Sequence, residues 1–490
     1  MPIHHRPVRA ALMAVAVVAC VGITTTLVKT ASAGTTPAAP TQTLSWQPCL
    51  PDAPAECASL PVPIDWSHPA AGRIDVAVAR RKATDASTRI GTLVILPGGP
   101  GNSGVDNLIT GNPLPPDVAA RFDVVSFDPR GTNRSHPVVC DADLARSLPN
   151  VIVDTGATLA EVRDYGKRLS DSCRARTGPL IDHLDSVSTA RDIDALRVAI
   201  GADKISLTGQ SYGTLTGEMY AETFPAHLRA LLLDSVFDHS LDVGRFAQTS
   251  AATAEDSFDG FAKWCAADGG CALHGRDAGA VFDDLYAEAV AGHLRLPGDP
   301  TTPVSPTDLI VQATMALYEP SWSELAGLLE ALTDQAPNAT AKPAVGSAVD
   351  VSTVLPLLCA DHRVDISGER EWRALWQRQN RAAPHLRLNP TWPEMAICSG
   401  WTAKTANPQH DLHIRVGSPI LLMNSLHDPA TGYAWATNVT RQIGRNAVLL
   451  TYDGWGHAIG ARTDCTRQAA KQYLLDLTVP APNTHCPAVA

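Results

Sequence analysis

The pentapeptide Gly209-Gln210-Ser211-Tyr212-Gly213 carries the spacing G-x-S-x-G, after one apolar run and before a helical pattern. In that setting it reads as a nucleophile elbow, a sharp turn whose small flanking residues lift the serine hydroxyl clear of a sheet. A serine hydroxyl needs a base, and the base needs an orienting acid. The order serine, acid, histidine selects Asp428 in "HDPAT" and His457 in "GWGH", each just after an apolar run. Asp453 is the rival acid and His427 the rival base, but Asp453 is close in sequence to His457 and His427 sits beside Asp428. The chemistry such a set performs is acyl transfer through a covalent serine intermediate.

Acyl transfer also needs backbone donors aimed at a developing oxyanion. The segment "LVILPGGPGNSG" places glycines after an apolar run. Gly99 is the first choice of donor there, with Gly98 the second, and the residue after the nucleophile, Tyr212, supplies the other. The same stretch also spells G-x-G-x-x-G through Gly99, Gly101 and Gly104, with Asp128 downstream, which is the dinucleotide fingerprint. Pro100 inside the motif, and Pro113, Pro115 and Pro116 beyond it, argue against that reading, because a long crossover helix does not tolerate them. Asp128 and Arg130 in "DPRG" read instead as a structural turn.

These residues need a frame. "GTLVILP", "FDVVSFDP", "KISLTGQ" and "LRALLLDSV" read as buried parallel strands, alternating with helical patterns such as "VSTARDIDALRVAIG". From His239 to Leu388 the patterns are helical, and strands return in "SPILLMNSL" and "NAVLLTYDG". The expected organisation is a signal peptide over 1–33, a flexible leader over 34–47 and an α/β core over 48–238. A helical cap or lid over 239–388 follows, and 389–490 completes the core and carries the acid and histidine. The expected fold class is α/β, a mostly parallel sheet with helices on both faces and an inserted helical cap.

The chain has 490 residues, 45% of them apolar and 18% charged, with a net charge of −11 and no basic stripe, which argues against nucleic acid as a partner. "MPIHHRPVR", a short apolar run and "ASA" ending at Ala33 form an export signal, with lipid anchoring at Cys20 in "VVAC" as the alternative. The apolar run is too short to span a membrane comfortably. Removing Cys20 leaves ten cysteines, an even set for an exported chain. Neighbour pairing is the simplest guess: Cys49–Cys57, Cys140–Cys173, Cys265–Cys271, Cys359–Cys398 and Cys465–Cys486. No C-x-x-C occurs, and "HDLH" at His410 to His413 has no third ligand nearby, so no metal and no cofactor is expected.

Taken together, "GGPG", "FDPRG", "GQSYG", "LCAD", "CSGW", "HDPAT" and "GWGH" resemble the secreted tripeptidyl aminopeptidases of actinomycetes, relatives of prolyl aminopeptidase with the α/β-hydrolase fold. The resemblance runs from about Trp46 to Cys486. It implies Ser211 as nucleophile, Asp428 as orienting acid and His457 as base, and it brings Cys359 and Cys398 together. The sequence departs from that pattern at Asn133, Thr402 and Gly432, all outside the three catalytic positions. An aminopeptidase must also hold the substrate α-ammonium with a carboxylate, for which Asp361 in "LCAD" and Glu218 on the helix after the elbow are the candidates.

The resulting expectation is a secreted, monomeric serine exopeptidase that releases short peptides, tripeptides above all, from free N-termini. A secreted carboxylesterase or lipase with the same three residues is the alternative.

Overall fold

Long runs of Val, Ile and Leu are buried on both faces only if helices cover both sides of a sheet. The computed structural model, which describes residues 43–334 and 351–489, has that arrangement. The segment 1–33, with Cys20, lies outside the described residues.

Its main sheet contains eight strands longer than two residues. These are β1 (Glu56–Pro63), β2 (Arg73–Arg81), β3 (Gly91–Leu96), β4 (Phe122–Phe127), β5 (Ile205–Gln210), β6 (Leu228–Asp234), β7 (Ile420–His427) and β8 (Ala447–Trp455). Their order is β1-β2-β4-β3-β5-β6-β7-β8, with the two-residue strands Gln47–Pro48 and His485–Cys486 added at the edges. β2 pairs antiparallel with both β1 and β4, and every pairing from β4 through β8 is parallel.

The core helices before the insertion are α1 (Gly104–Thr110), α2 (Leu159–Thr177), α3 (Ser186–Ala199) and α4 (Tyr212–Thr223). A capping box between Thr158 and Glu161 starts α2, and the Asp185 side chain accepts the Ser188 N–H to start α3. Between β6 and β7 the chain runs through α5 (Val243–Ala267), α6 (Ala278–Val290), α7 (Pro306–Tyr318), α8 (Trp322–Asp334), α9 (Val351–Asp361), α10 (Glu369–Ala382) and α11 (Trp392–Ile397). A small antiparallel hairpin, Arg295–Leu296 with Asp299–Pro303, interrupts these helices. α12 (Tyr433–Ile443) follows β7, and α13 (Asp464–Asp476) follows β8.

The five cystines are Cys49–Cys57, Cys140–Cys173, Cys265–Cys271, Cys359–Cys398 and Cys465–Cys486. The fourth joins α9 to the turn after α11. The expected flexible leader runs to Gln47, but the chain is anchored before that. Leu44 is buried in the core, and Trp46 lies under the Arg80 guanidinium at 4.1 Å.

Candidate active site

The parallel strands end at one edge of the sheet. Leu96 pairs with Gly209, Gln210 with Asp234, and Asp234 with Met423, so the loops after β3, β5, β6 and β7 emerge side by side. Ser211 sits between β5 and α4 with φ 56° and ψ −128°, a left-handed conformation that costs a non-glycine residue about 1–3 kcal/mol. The flanking glycines are obligatory. A Cβ on Gly209 would lie 2.5 Å from the Gly213 carbonyl oxygen, and one on Gly213 would lie 2.5 Å from that of Leu96.

The glycine-rich loop after β3 lies against this turn. A Cβ on Gly98 would stand 2.9 Å from the Gln210 carbonyl oxygen and 3.6 Å from Ser211 Cβ. Gly99 has φ 109°, open to glycine and strained for other residues. Tyr212 is the first residue of α4, where helix geometry leaves the N–H without an internal partner.

Asp428 and His457 meet on the loops after β7 and β8. His457 Nδ1 is 2.9 Å from Asp428 Oδ1 and 3.0 Å from Oδ2. The Asp428 carboxylate also accepts from the N–H groups of Ala430 and Thr431, at 2.8 and 2.9 Å, and from the Thr431 hydroxyl at 3.1 Å. Burial works to raise the Asp428 carboxyl, but His457 and these donors outweigh it and hold it below the usual value. Burial works to lower the His457 imidazole, and the Asp428 charge and hydrogen bond overcome it and raise it above the usual value. His457 is only 9% exposed and Asp428 1%. Tyr318 from α7 packs beside the imidazole with its ring centroid 5.0 Å away, and its carbonyl accepts the backbone N–H of His457 at 2.8 Å. Among the described residues no hydrogen bond joins the Ser211 hydroxyl to His457. Such contacts commonly tighten only when substrate binds.

The residue that sequence reasoning missed is Asp234, the last residue of β6. Its carbonyl accepts the Ser211 N–H at 3.0 Å. Its carboxylate accepts the N–H groups of Ile459 and Gly460, at 2.9 and 2.8 Å, just after His457. The Ser235 hydroxyl accepts the Ala458 N–H at 2.8 Å. An acidic residue closing the apolar run "LRALLLD" was the available signal.

The rival residues have other partners. His427 Nδ1 contacts Asp256 at 2.6 Å and its ring stacks on Trp455, while Asp453 contacts His485 at 2.5 Å. Asp128 is wholly enclosed and accepts from the Ser103 hydroxyl at 2.6 Å and from the Val105 and Arg134 N–H groups. Arg130 is fully buried, paired with Asp192 and donating to the carbonyls of Pro63, Ile64 and His183. Both side chains are buried and spend their polar atoms on protein partners.

The two carboxylates expected to hold an ammonium lie in the interior. Asp361 accepts from the Ser186 N–H and hydroxyl, the Asn407 amide and the Tyr212 hydroxyl, which occupy its oxygens. Burial raises its carboxyl to about 7. Glu218 is fully buried with no hydrogen-bond partner on either oxygen, and burial, with Asp238 and Glu222 nearby, lifts it well above the carboxylate range. Among the described residues no group of His, Cys, Asp and Glu is arranged to hold a metal ion. No helix among them is long and apolar enough to cross a membrane.

Residues 91–308 match the family described as alpha/beta hydrolase fold, and residues 385–486 match the family described as TAP-like protein. Carboxylesterase B of Mycobacterium tuberculosis is 30% identical over 93% of this chain and 92% of its own. Serine protease Hip1 of the same organism is 29% identical over 91% of each chain. Tripeptidyl aminopeptidase of Streptomyces lividans is 28% identical over 90% of this chain and 86% of its own. The strand order, the elbow and these matches agree: the chain belongs to the TAP-like α/β-hydrolases and is a serine hydrolase.

Proposed function

We propose that the protein is an exported serine aminopeptidase that releases short peptides, tripeptides above all, from free N-termini. The observation that carries the reading is the buried Asp428–His457 pair. It leaves Nε2 as the free imidazole nitrogen, beside an elbow that presents Ser211. In this reading Ser211 Oγ attacks the scissile carbonyl carbon and gives its proton to His457 Nε2. The C–N bond breaks as that proton passes to the leaving amine, and water then repeats the sequence on the acyl-enzyme. The N–H groups of Gly99 and Tyr212 receive the oxyanion. The relatives named as a serine protease and a tripeptidyl aminopeptidase support the peptidase reading. Five cystines support export, with 1–33 as the signal.

The helices between β6 and β7 act as the lid, and the burial of His457 beside Tyr318 supports a preference for short chain ends over folded proteins. The relative named carboxylesterase B keeps esterase as the second reading. Assaying free and N-acetylated di- and tripeptidyl anilides beside short-chain esters separates the two. Turnover of the free peptides, lost in Ser211→Ala, is expected. Turnover of esters alone overturns the peptidase reading.

A further inference from the structure

Asp361 and Glu218 are shut in the core, so an aminopeptidase built on this site needs another carboxylate for the substrate's α-ammonium. The structure offers one on a helix that is tied to both the serine side and the histidine side of the site. α9 lies over the serine side: Thr353 is where a Cβ on Gly101 would fall, at 2.6 Å, and the Tyr212 hydroxyl reaches the Leu357 carbonyl at 3.4 Å and the Asp361 carboxylate. α11 packs on α9, and Cys359–Cys398 fixes the two together. The segment leading into α11 is tied to the acid loop, because the Asn389 amide donates to the Pro429 carbonyl, next to Asp428, at 3.3 Å. α11 is thereby linked to the elbow through α9 and to the Asp428 loop through Asn389, and it carries Glu394.

Glu394 is chemically incomplete. The residue is partly exposed, while its Oε2 is closed off from solvent and has no hydrogen-bond partner. Neither Lys nor Arg nor His is paired with it among the described residues. Burial lifts its carboxyl to about 7, and its charge is felt by Tyr318, the residue that packs beside His457. A buried carboxylate without a cation is costly unless a charge-assisted donor arrives. A substrate ammonium is such a donor, with three N–H bonds to give.

We infer that Glu394 is the specificity residue that receives the free α-ammonium of the peptide, an inference that rests on the aminopeptidase reading above. The ammonium anchored there and the carbonyl held at Ser211 are the two ends of a ruler. An extended tripeptide spans roughly 10 Å between such ends. Removing Glu394 therefore costs recognition of the charged terminus and leaves the acyl-transfer residues in place.

The test compares wild type with Glu394→Gln on a tripeptidyl anilide with a free N-terminus, its N-acetyl form and a short-chain p-nitrophenyl ester. The expected loss in kcat/KM for the free peptide is on the order of a hundredfold and falls mainly on KM, with a far smaller loss on the ester. Because the ester reports folding and the serine chemistry, an equal loss on all three overturns the inference. A second measurement needs no variant: the released tripeptide should inhibit wild type at least roughly tenfold better than its des-amino analogue. Equal inhibition overturns the inference. If wild type prefers free N-termini and Glu394→Gln keeps that preference, this inference alone falls. If wild type hydrolyses the acetylated peptide as readily as the free one, the aminopeptidase reading falls and takes this inference with it.

Discussion

The Ser211 N–H donates to the Asp234 carbonyl at 3.0 Å, and the carboxylate of the same aspartate grips the backbone just beyond His457. One residue thus fixes the two loops whose side chains must meet. Its buried carboxylate accepts backbone N–H groups on both oxygens, so Asp234→Asn turns an NH2 group toward one of them. We expect a stability loss of about 1–3 kcal/mol in denaturant melts. We also expect a fall in kcat exceeding the change in KM for a small ester. An unchanged kcat would show that the His457 loop holds its place without this anchor.

Ser211 holds φ 56°, and the strain should be measurable apart from catalysis. Ser211→Ala and Ser211→Gly both remove the hydroxyl, but only glycine adopts this backbone freely. Ser211→Gly is expected to be more stable than Ser211→Ala by about 1 kcal/mol, with both inactive. Equal unfolding midpoints would place the strain elsewhere.

Activity in the acyl-transfer scheme requires a neutral His457, whose imidazole is raised above the ordinary histidine value. The acid limb of kcat/KM should therefore have its midpoint above about 6.5. Asp428→Asn removes the charge responsible, moves that midpoint downward and lowers kcat by about four decades. For stability the signs oppose. The raised His457 contributes below its unfolded value and loses that contribution as pH rises through its folded value. The lowered Asp428 contributes above its unfolded value and loses that as pH falls through its folded one. The pair stabilises most in the mildly acidic window between the two, which pH-dependent melts of wild type and Asp428→Asn resolve.

Arg130 is 0% exposed and paired with Asp192. Arg130→Met alone strands a buried carboxylate and should cost about 3–5 kcal/mol. The double change Arg130→Met with Asp192→Leu should recover only part of it, because the carbonyls of Pro63, Ile64 and His183 and the Trp66 Nε1–H still lose their partner. Loss of substrate affinity without loss of stability would instead assign "DPRG" to binding.

Much of this frame is visible in local pattern. The buried parallel strands read from continuous apolar runs, and the elbow from two glycines that leave no room for a Cβ. Elements with mixed signals were harder. β1 carries Pro61 and Pro63, which suit an antiparallel outer strand but break a strand pattern, and α9 carries Pro356 within the helix. α2 went unread in the sequence, and its capping box at Thr158 and Glu161 shows itself only in the structure. The carboxylates show the deeper limit. Asp361 and Glu394 are both carboxylates on helices of the insertion, and the Ser186 that satisfies Asp361 lies 175 positions away in sequence. No window of sequence distinguishes a satisfied carboxylate from an unsatisfied one.

α9 touches the glycine-rich loop through Thr353, the elbow through Tyr212, and α11 through a cystine. Its Asp361 also draws on Ser186 at the start of α3 and on the Tyr212 hydroxyl at the start of α4, both before β6. The helical insertion is consequently not a cassette. Grafting it onto a relative, or recombining two relatives at its ends, separates Asp361 from the donors that satisfy it unless both travel with it. Amide hydrogen exchange should register the same coupling as one shared opening, with elbow and α9 protons released together.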